Sequence, residues 1–250
     1  MTGFQAPWEQ DWAAKQALLA QRVATLERQI AQQTSGPIAC TSTTHPASPW
    51  AGMQIYETDT GLTAIWTGTA WNYPGMQLLA KTVLGSSTAS VRLPTSGSLP
   101  QVFTNLHVVI SAQSSGTGSA GYDSANMQIN GVSTASYTWS SWFLTQGAAS
   151  VNTFGATTAT SAQVAEIWNA HFASAGQGIA TIEIPDYASA SKLKSWTSLS
   201  AAIDGGTVSI MQQYAGALDS GATAAVSFLT LAMSAGSFVP GSSFCVYGMD

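Results

Sequence analysis

The sequence is poor in charged residues, and this scarcity excludes several classes of function. Only 8% of its 250 residues are Asp, Glu, Lys or Arg, whereas soluble domains commonly carry about a quarter. The seven Lys and Arg residues are not clustered, and the formal net charge is −5. Nucleic-acid binding needs a basic patch, so no nucleic-acid partner is expected. Disorder driven by high net charge is excluded as well.

Long apolar runs and paired cysteines are also missing. The longest apolar stretch, Leu229 to Ala235, is far shorter than the roughly 20 residues that cross a bilayer. Glu9 and Asp11 stand where a signal peptide would be apolar, so neither a secretion signal nor a membrane partner is expected. Cys40 and Cys245 lie in segments of different character, which favours two free thiols in a reducing compartment over a disulfide or a metal pair.

Catalytic motifs are absent from the sequence. It contains no HExxH, no GxSxG and no glycine-rich phosphate loop. Most carboxylates beyond the first helix stand beside turn residues, and Glu183 and Asp186 are more simply explained as a solvated strand end than as an acid and base pair. We therefore predict no enzyme activity, no cofactor and no metal, although the abundance of serine leaves a Ser-His-Asp arrangement open.

The amino-terminal segment has the pattern of a narrow coiled-coil helix. Residues 8–33 are rich in Ala, Leu, Gln and Glu, lack glycine and follow Pro7, which favours a helix start. Apolar or Gln residues recur at alternating steps of four and three, the a/d rhythm of a coiled coil: Trp12, Gln16, Leu19, Val23, Leu26, Ile30 and Gln33. Such a narrow stripe is expected to pair with copies of itself.

Charges beside this stripe favour three strands. Arg22 falls at a g position and Glu27 at the following e position, and the six residues from Arg22 to Glu27 resemble a known trimer-selecting pattern. The alternative is a chance match on a solvated helix face. The predicted trimer contacts are made by Leu19, Arg22, Val23, Leu26, Glu27 and Ile30. A coil about 40 Å long is marginal by itself, so the trimer needs support from further along the chain.

Two short regions follow the helix. Residues 34–49 are rich in Ser, Thr and Pro and predict an extended linker. Residues 50–74 predict a small β-meander with strands over 53–58, 62–67 and 70–73. A meander of this size is too small to fold alone, so its aromatic side must be covered by another copy or by the next domain.

Residues 75–250 predict an antiparallel, jelly-roll-like β-sandwich, so the fold class is mainly β with an amino-terminal coiled coil. Turn residues separate about ten segments with strand character. The exception is Val164 to Phe172, which could form a short surface helix. The predicted strands are 76–84, 87–93, 101–112, 126–132, 137–144, 178–184, 192–201, 207–214, 224–234 and 243–247.

Two regions resemble proteins of known type. The segment from Pro49 to Trp71, which includes IYETDTG and a WTGTAW turn, resembles a short module of tail and fibre proteins from phages that infect actinobacteria. The phrases IEIPDYAS and FVPGSSFCVYGM resemble the carboxy-terminal β-sandwich of the same group. The resemblance implies a structural or adhesive virion protein, a minor tail or fibre protein assembled in the host cytoplasm, and it transfers no catalytic residue.

In that context the amino terminus becomes a candidate anchor. Phe4, Trp8 and Trp12 are large apolar side chains at the start of a helix too short to bury them. We predict that residues 1–12 dock into another virion protein, of the tail or the capsid. The alternative is that the tryptophans cap the coil.

Aromatic residues in the sandwich point to sugar binding. Tyr122, Trp139, Trp142 and Trp168 are predicted to lie on loops and to bind a neutral host-envelope polysaccharide, since sugar rings stack on aromatic faces. The alternative is that these rings belong to the core of the sandwich or to a trimer interface. Two other functions are weighed against attachment: a capsid decoration fibre without a receptor, and a glycan depolymerase.

Overall fold

The computed structural model describes residues 7–34, 36–118, 121–145, 151–170, 177–203, 209–219 and 223–250. The chain divides into two compact units, Met1–Asn72 and Tyr73–Asp250. Within the described residues there are sixteen strands and one helix, so the mainly β prediction is confirmed. Cys40 and Cys245 are both free thiols, as expected.

The helix of the first unit, α1, runs from Pro7 to Thr34. Pro7 occupies its first position, where the missing N–H costs nothing, and the Gly36-Pro37 pair follows its end. No helix in the described part of the chain combines the length and apolar character of a membrane span. The helix is present as predicted, whereas its assembly into a coiled coil stays a prediction.

A four-stranded sheet completes the first unit, in the order β1-β2-β3-β4. Its strands are β1 (Ile38–Cys40), β2 (Gln54–Glu57), β3 (Thr63–Trp66) and β4 (Trp71–Asn72). The predicted linker 34–49 is therefore not wholly unpaired, because β1 lies within it and pairs in parallel with β2. This pairing depends on contacts between distant segments, which the local composition does not reveal.

Polar side chains join the turn of this sheet to the segment after β1. Asp59 accepts hydrogen bonds from the N–H of Ser42 at 2.8 Å and from its Oγ at 2.6 Å, and these bonds lower the pKa of Asp59. Glu57 is buried and lies 2.7 Å from His45 Nε2. The motif residues around the turn thus tie β2 to the preceding segment.

The second unit contains twelve strands in two sheets. In chain order they are β5 (Gln77–Val83), β6 (Ser90–Leu93), β7 (Asn105–Ala112), β8 (Tyr122–Ile129), β9 (Tyr137–Thr145), β10 (Asn152–Ala159), β11 (Ala162–Trp168), β12 (Gly178–Ile184), β13 (Lys194–Ile203), β14 (Ser209–Leu218), β15 (Leu229–Met233) and β16 (Ser243–Met249). The eight-stranded sheet has the order β10-β9-β14-β13-β12-β7-β16-β5, and the four-stranded sheet has the order β11-β8-β15-β6.

The two sheets form a sandwich-like arrangement around an apolar core. In the larger sheet, rows of paired residues such as Ile182, Val108 and Val246 are fully buried. In the smaller sheet, Met127 and Leu231 are paired and equally buried. Alternation of buried and partly exposed residues along these strands is the period-two pattern that the sequence displays.

The surface helix predicted from Val164 to Phe172 is wrong over residues 164–170, the part of it that the structure describes. Its first part belongs to β11, an edge strand of the four-stranded sheet that pairs with β8. Almost every residue of β11 is buried, so the strand lacks the alternation by which strands are recognised. Strand β10, which the sequence also failed to predict, is mostly exposed and contains Gly155 and several threonines.

Candidate functional site

The second unit contains a pocket of about 270 Å³ between the two sheets, here called the aromatic pocket. Strands β8 and β11 of the smaller sheet form one side, and strands β9, β10 and β14 of the larger sheet form the other. Its lining comprises four aromatic residues, two amides, one carboxyl and one glycine: Tyr122, Trp139, Phe143, Phe154, Gln163, Gln212, Glu166 and Gly155. An aromatic cavity with a few convergent polar groups is the usual form of a small-molecule site.

A β-bulge in β11 creates the polar side of the pocket. Gln163 pairs with Asn126 and Glu166 pairs with Ser124, although the two β11 residues are three positions apart. Strand β11 has one extra residue between them, and this bulge places both side chains on the same face of the sheet. As a result, Gln163 Nε2 donates to Glu166 Oε1 at 2.6 Å.

Glu166 is the most unusual group in the pocket, because this acidic residue is only 6% exposed. Its oxygens accept from Ser124 Oγ at 3.2 and 3.3 Å and from the Tyr214 hydroxyl at 3.3 Å. Burial raises the pKa of Glu166 to about 7, because desolvation outweighs these hydrogen bonds and the nearby Asp123 adds to the rise. The carboxyl can therefore exchange a proton near neutral pH.

Strand β11 is held in place by hydroxyl groups of β13. Ser198 Oγ donates to the carbonyl of Val164 at 2.7 Å, and the N–H of Glu166 donates to Ser200 Oγ at 3.3 Å. Both serines are buried. Backbone groups on the outer edge of a sheet otherwise lack partners, so these hydroxyls supply partners to two backbone groups of β11 and link it to β13.

The aromatic side of the pocket comes from one face of β9 and its neighbours. Phe143 and Phe154 stack with ring centroids 5.3 Å apart and an angle of 11° between the planes. The rings of Trp139 and Tyr214 lie 6.1 Å apart. Phe154 is 58% exposed, so an apolar ring stands open at the rim of the pocket.

Of the four residues predicted to bind glycan, the structure brings two together. Tyr122 at the start of β8 and Trp139 in β9 both line the aromatic pocket. Trp142 is 37% exposed but lies three positions after Trp139 in a regular stretch of β9, so it faces the opposite side of the sheet. All four residues lie on strands rather than on the predicted loops.

The prediction for Trp168 as a surface binding residue is wrong. Trp168 ends β11 and is fully buried, so it belongs to the packed interior. Its apolar ring stabilises the fold and is not accessible to a polysaccharide. The prediction fails because Trp168 lies in β11, and the buried position of this strand cannot be recognised from the sequence.

Sequence reasoning missed most of the pocket. Neither the bulge in β11 nor the pairing of β9 with β14 leaves a local signal in the sequence. Five pocket residues therefore do not stand out: Phe143, Phe154, Gln163, Glu166 and Gln212. A polar pair three residues apart within an otherwise apolar strand, as in QVAE, is the one hint that the sequence offers.

The predicted trimer residues all lie on α1 and are exposed where their side chains are described. The exposed fractions of Leu19, Val23, Leu26 and Ile30 are 63, 45, 55 and 60%. Arg22 and Glu27 are exposed on the same helix. For the predicted anchor, Phe4 lies outside the described residues, and only the helical backbone is described for Trp8 and Trp12.

The described residues contain no group of three or more His, Cys, Asp or Glu side chains placed to hold a metal ion. Searches against protein-family models, curated proteins and solved structures found no match for this chain. The resemblance to phage tail and fibre proteins therefore stays a prediction from the sequence.

Proposed function

We propose that this chain is a homotrimeric virion attachment fibre, of the minor tail or fibre type, whose second unit binds a glycan of the host envelope. The aromatic pocket is the observation that carries the proposal. It combines open aromatic rings with amide and carboxyl groups that can hydrogen-bond to sugar hydroxyls. A fibre that only decorates a capsid does not require such a site.

The arrangement of the second unit supports this function. The orders β5-β16-β7-β12 and β6-β15-β8-β11 are those of two interlocked Greek keys, which favours a jelly roll. The hairpins β9-β10 and β13-β14 are then insertions that extend the larger sheet. Four of the pocket side chains, those of Trp139, Phe143, Phe154 and Gln212, lie on inserted strands, and variable insertions on a rigid frame are where binding sites commonly arise.

The exposed stripe of α1 supports the trimer. Leu19, Val23, Leu26 and Ile30 repeat at coiled-coil spacing, and between 45 and 63% of each residue is open to solvent in the single chain. Three copies would bury the stripe and place Arg22 beside Glu27 of a neighbouring helix. Residues 1–12 would then remain as the virion anchor, with Phe4, Trp8 and Trp12 as its apolar contacts.

Trimeric assembly would make weak sites useful. Once one pocket of the trimer has bound, the other two meet the same glycan at a high effective concentration. Weak binding at single sites can then add up to firm attachment. A binding protein, unlike a depolymerase, holds its glycan without cutting it.

The test combines assembly and adsorption. Native mass spectrometry of the full chain is expected to give a mass near 78 kDa, three times the 25.9 kDa of one chain. A Leu19→Asp, Leu26→Asp variant is expected to give the monomer. The purified trimer is expected to adsorb to extracted actinobacterial envelope glycan without releasing sugar. A monomeric full chain refutes the trimer, release on a catalytic timescale favours the depolymerase, and absence of adsorption leaves the decoration fibre.

A further inference from the structure

We propose that the aromatic pocket takes an organic cation, an ammonium group of an amino sugar or of a choline-type headgroup, with Glu166 as its counter-charge. This inference rests on the proposed function and names the ligand class of the same site. It differs from the neutral polysaccharide that the sequence predicts.

Glu166 lies buried without a positive partner among the described residues. The ion pairs within these residues join His45 to Glu57, His107 to Glu183 and Lys192 to Asp186, so none includes Glu166. Buried carboxylates in proteins are nearly always paired with a cation or neutralised. A bound ammonium group would supply the missing charge.

The described side chains that donate hydrogen bonds to this carboxyl are neutral. Ser124 on its paired strand β8, Gln163 on its own strand and Tyr214 on β14 supply its hydrogen bonds. The nearest acidic influence comes from Asp123 on β8, which has the same sign and disfavours ionisation. The ionised carboxyl is thus oriented but has no opposite charge among the described side chains.

Aromatic side chains form much of the wall of the pocket. Trp139, Tyr122 and the stacked Phe143 and Phe154 line the same cavity as the carboxyl. Ring faces attract cations, and aromatic residues are the usual surroundings of quaternary ammonium ligands. Rings alone suit a neutral sugar equally well, but rings together with a buried carboxyl that lacks a counter-charge favour a cation.

The size of the cavity limits the ligand. A volume of about 270 Å³ falls just below the range of about 300 to 1,000 Å³ typical of drug-sized sites. The pocket therefore suits one sugar ring or one headgroup rather than a stretch of polymer. The rest of the glycan would extend past the exposed ring of Phe154.

The experiment is calorimetric titration of the full-length protein with choline and with its uncharged carbon analogue, 3,3-dimethylbutan-1-ol. At pH 8 we expect choline to bind at least tenfold more tightly than the analogue. Glu166→Gln keeps the shape of the side chain and is expected to weaken choline binding at least tenfold. Asp219→Asn removes the same charge from an exposed position and is expected to leave binding unchanged.

A second measurement follows the affinity for choline as a function of pH. Because the free carboxyl titrates near pH 7 and the cation needs it ionised, choline binding is expected to weaken about tenfold between pH 8 and pH 6. Tyr122, Tyr214 and Asp123 are the other titratable groups around Glu166, and burial raises the pKa of both tyrosines further from this range. Gln at position 166 is expected to abolish the pH dependence.

Glucosamine and N-acetylglucosamine distinguish the two sources of the ammonium group. Tighter binding of glucosamine than of its acetylated form supports an amino sugar, and binding of choline alone supports a headgroup. Equal binding of the charged and uncharged compound of each pair, or an unchanged affinity of the Glu166→Gln variant for choline, overturns the inference that the ligand is a cation. Adsorption of the protein to the glycan would still support the attachment function. Absence of binding by all four probes overturns the inference, and adsorption then decides the proposed function separately.

Discussion

Replacing Glu166 by glutamine is expected to remove a pH-dependent loss of stability from the second unit. The carboxyl is buried, and its pKa is raised from 4.5 to about 7 chiefly by desolvation. The amide has nearly the same shape, can accept from the Tyr214 hydroxyl and never ionises. The substitution therefore isolates the cost of charging this one site.

The magnitude follows from proton linkage. In the unfolded chain the carboxyl ionises near pH 4.5, whereas in the folded chain it keeps its proton until about pH 7. A raised pKa gives stability that is fully present below pH 4.5 and is lost as the pH rises to 7. A tenfold difference between the folded and unfolded acid dissociation constants corresponds to about 1.4 kcal/mol, so the free energy of unfolding is expected to fall by about 3 kcal/mol across this range.

Urea denaturation at several pH values between 4.5 and 8 measures this slope. Tryptophan fluorescence includes a signal from the second unit, because Trp168 and Trp196 are buried there in the folded chain. The Glu166→Gln variant is expected to lose the fall of about 3 kcal/mol and to be more stable than the natural chain at pH 8. Asp219→Asn, at an exposed position, serves as the control for net charge. An unchanged slope in the Gln variant would refute the assignment of the raised pKa to Glu166.

Two further substitutions, each compared with a control substitution, test the packing of the sandwich. Trp168→Ala is expected to lower the free energy of unfolding by about 3 to 5 kcal/mol, because the ring is fully buried. Trp142→Ala, on the outer face, is expected to lower it by less than about 1 kcal/mol. Similar losses for the two variants in denaturation experiments would contradict the different placement of the two rings. Ser198→Ala removes the hydroxyl that donates to the Val164 carbonyl and is expected to cost about 1 to 3 kcal/mol, against little change for the exposed Ser195→Ala. Equal thermal stability of these two serine variants would show that the edge of β11 does not depend on this bond.

How much the sequence predicts depends on how local each signal is. The α1 stripe of Leu19 and Leu26 is a repeat within one segment, so the helix could be predicted. Strands such as β12, with alternating buried residues, could also be predicted. Strand β11 could not, because it is buried on both sides and its pairing and bulge depend on residues far away in the chain.

The site could be predicted only in part, because most of its residues meet through pairings between distant strands. Tyr122 and Trp139 stand out as aromatic residues in a weakly charged domain, and aromatic content is visible in any sequence. Glu166 does not, because its unusual pKa arises only when β11 is covered by β13 and β14. The burial of Trp168 escapes prediction for the same reason.

The most direct test of the account compares two tryptophans of the same strand. Trp139 lines the aromatic pocket, and Trp142 lies on the opposite face of β9. Trp139→Ala and Phe154→Ala variants, checked for folding by circular dichroism, are expected to lose at least tenfold in adsorption to envelope glycan. Trp142→Ala is expected to adsorb like the natural chain. Undiminished adsorption of the two folded pocket variants, or loss of adsorption in Trp142→Ala alone, would contradict the aromatic pocket as the site of attachment.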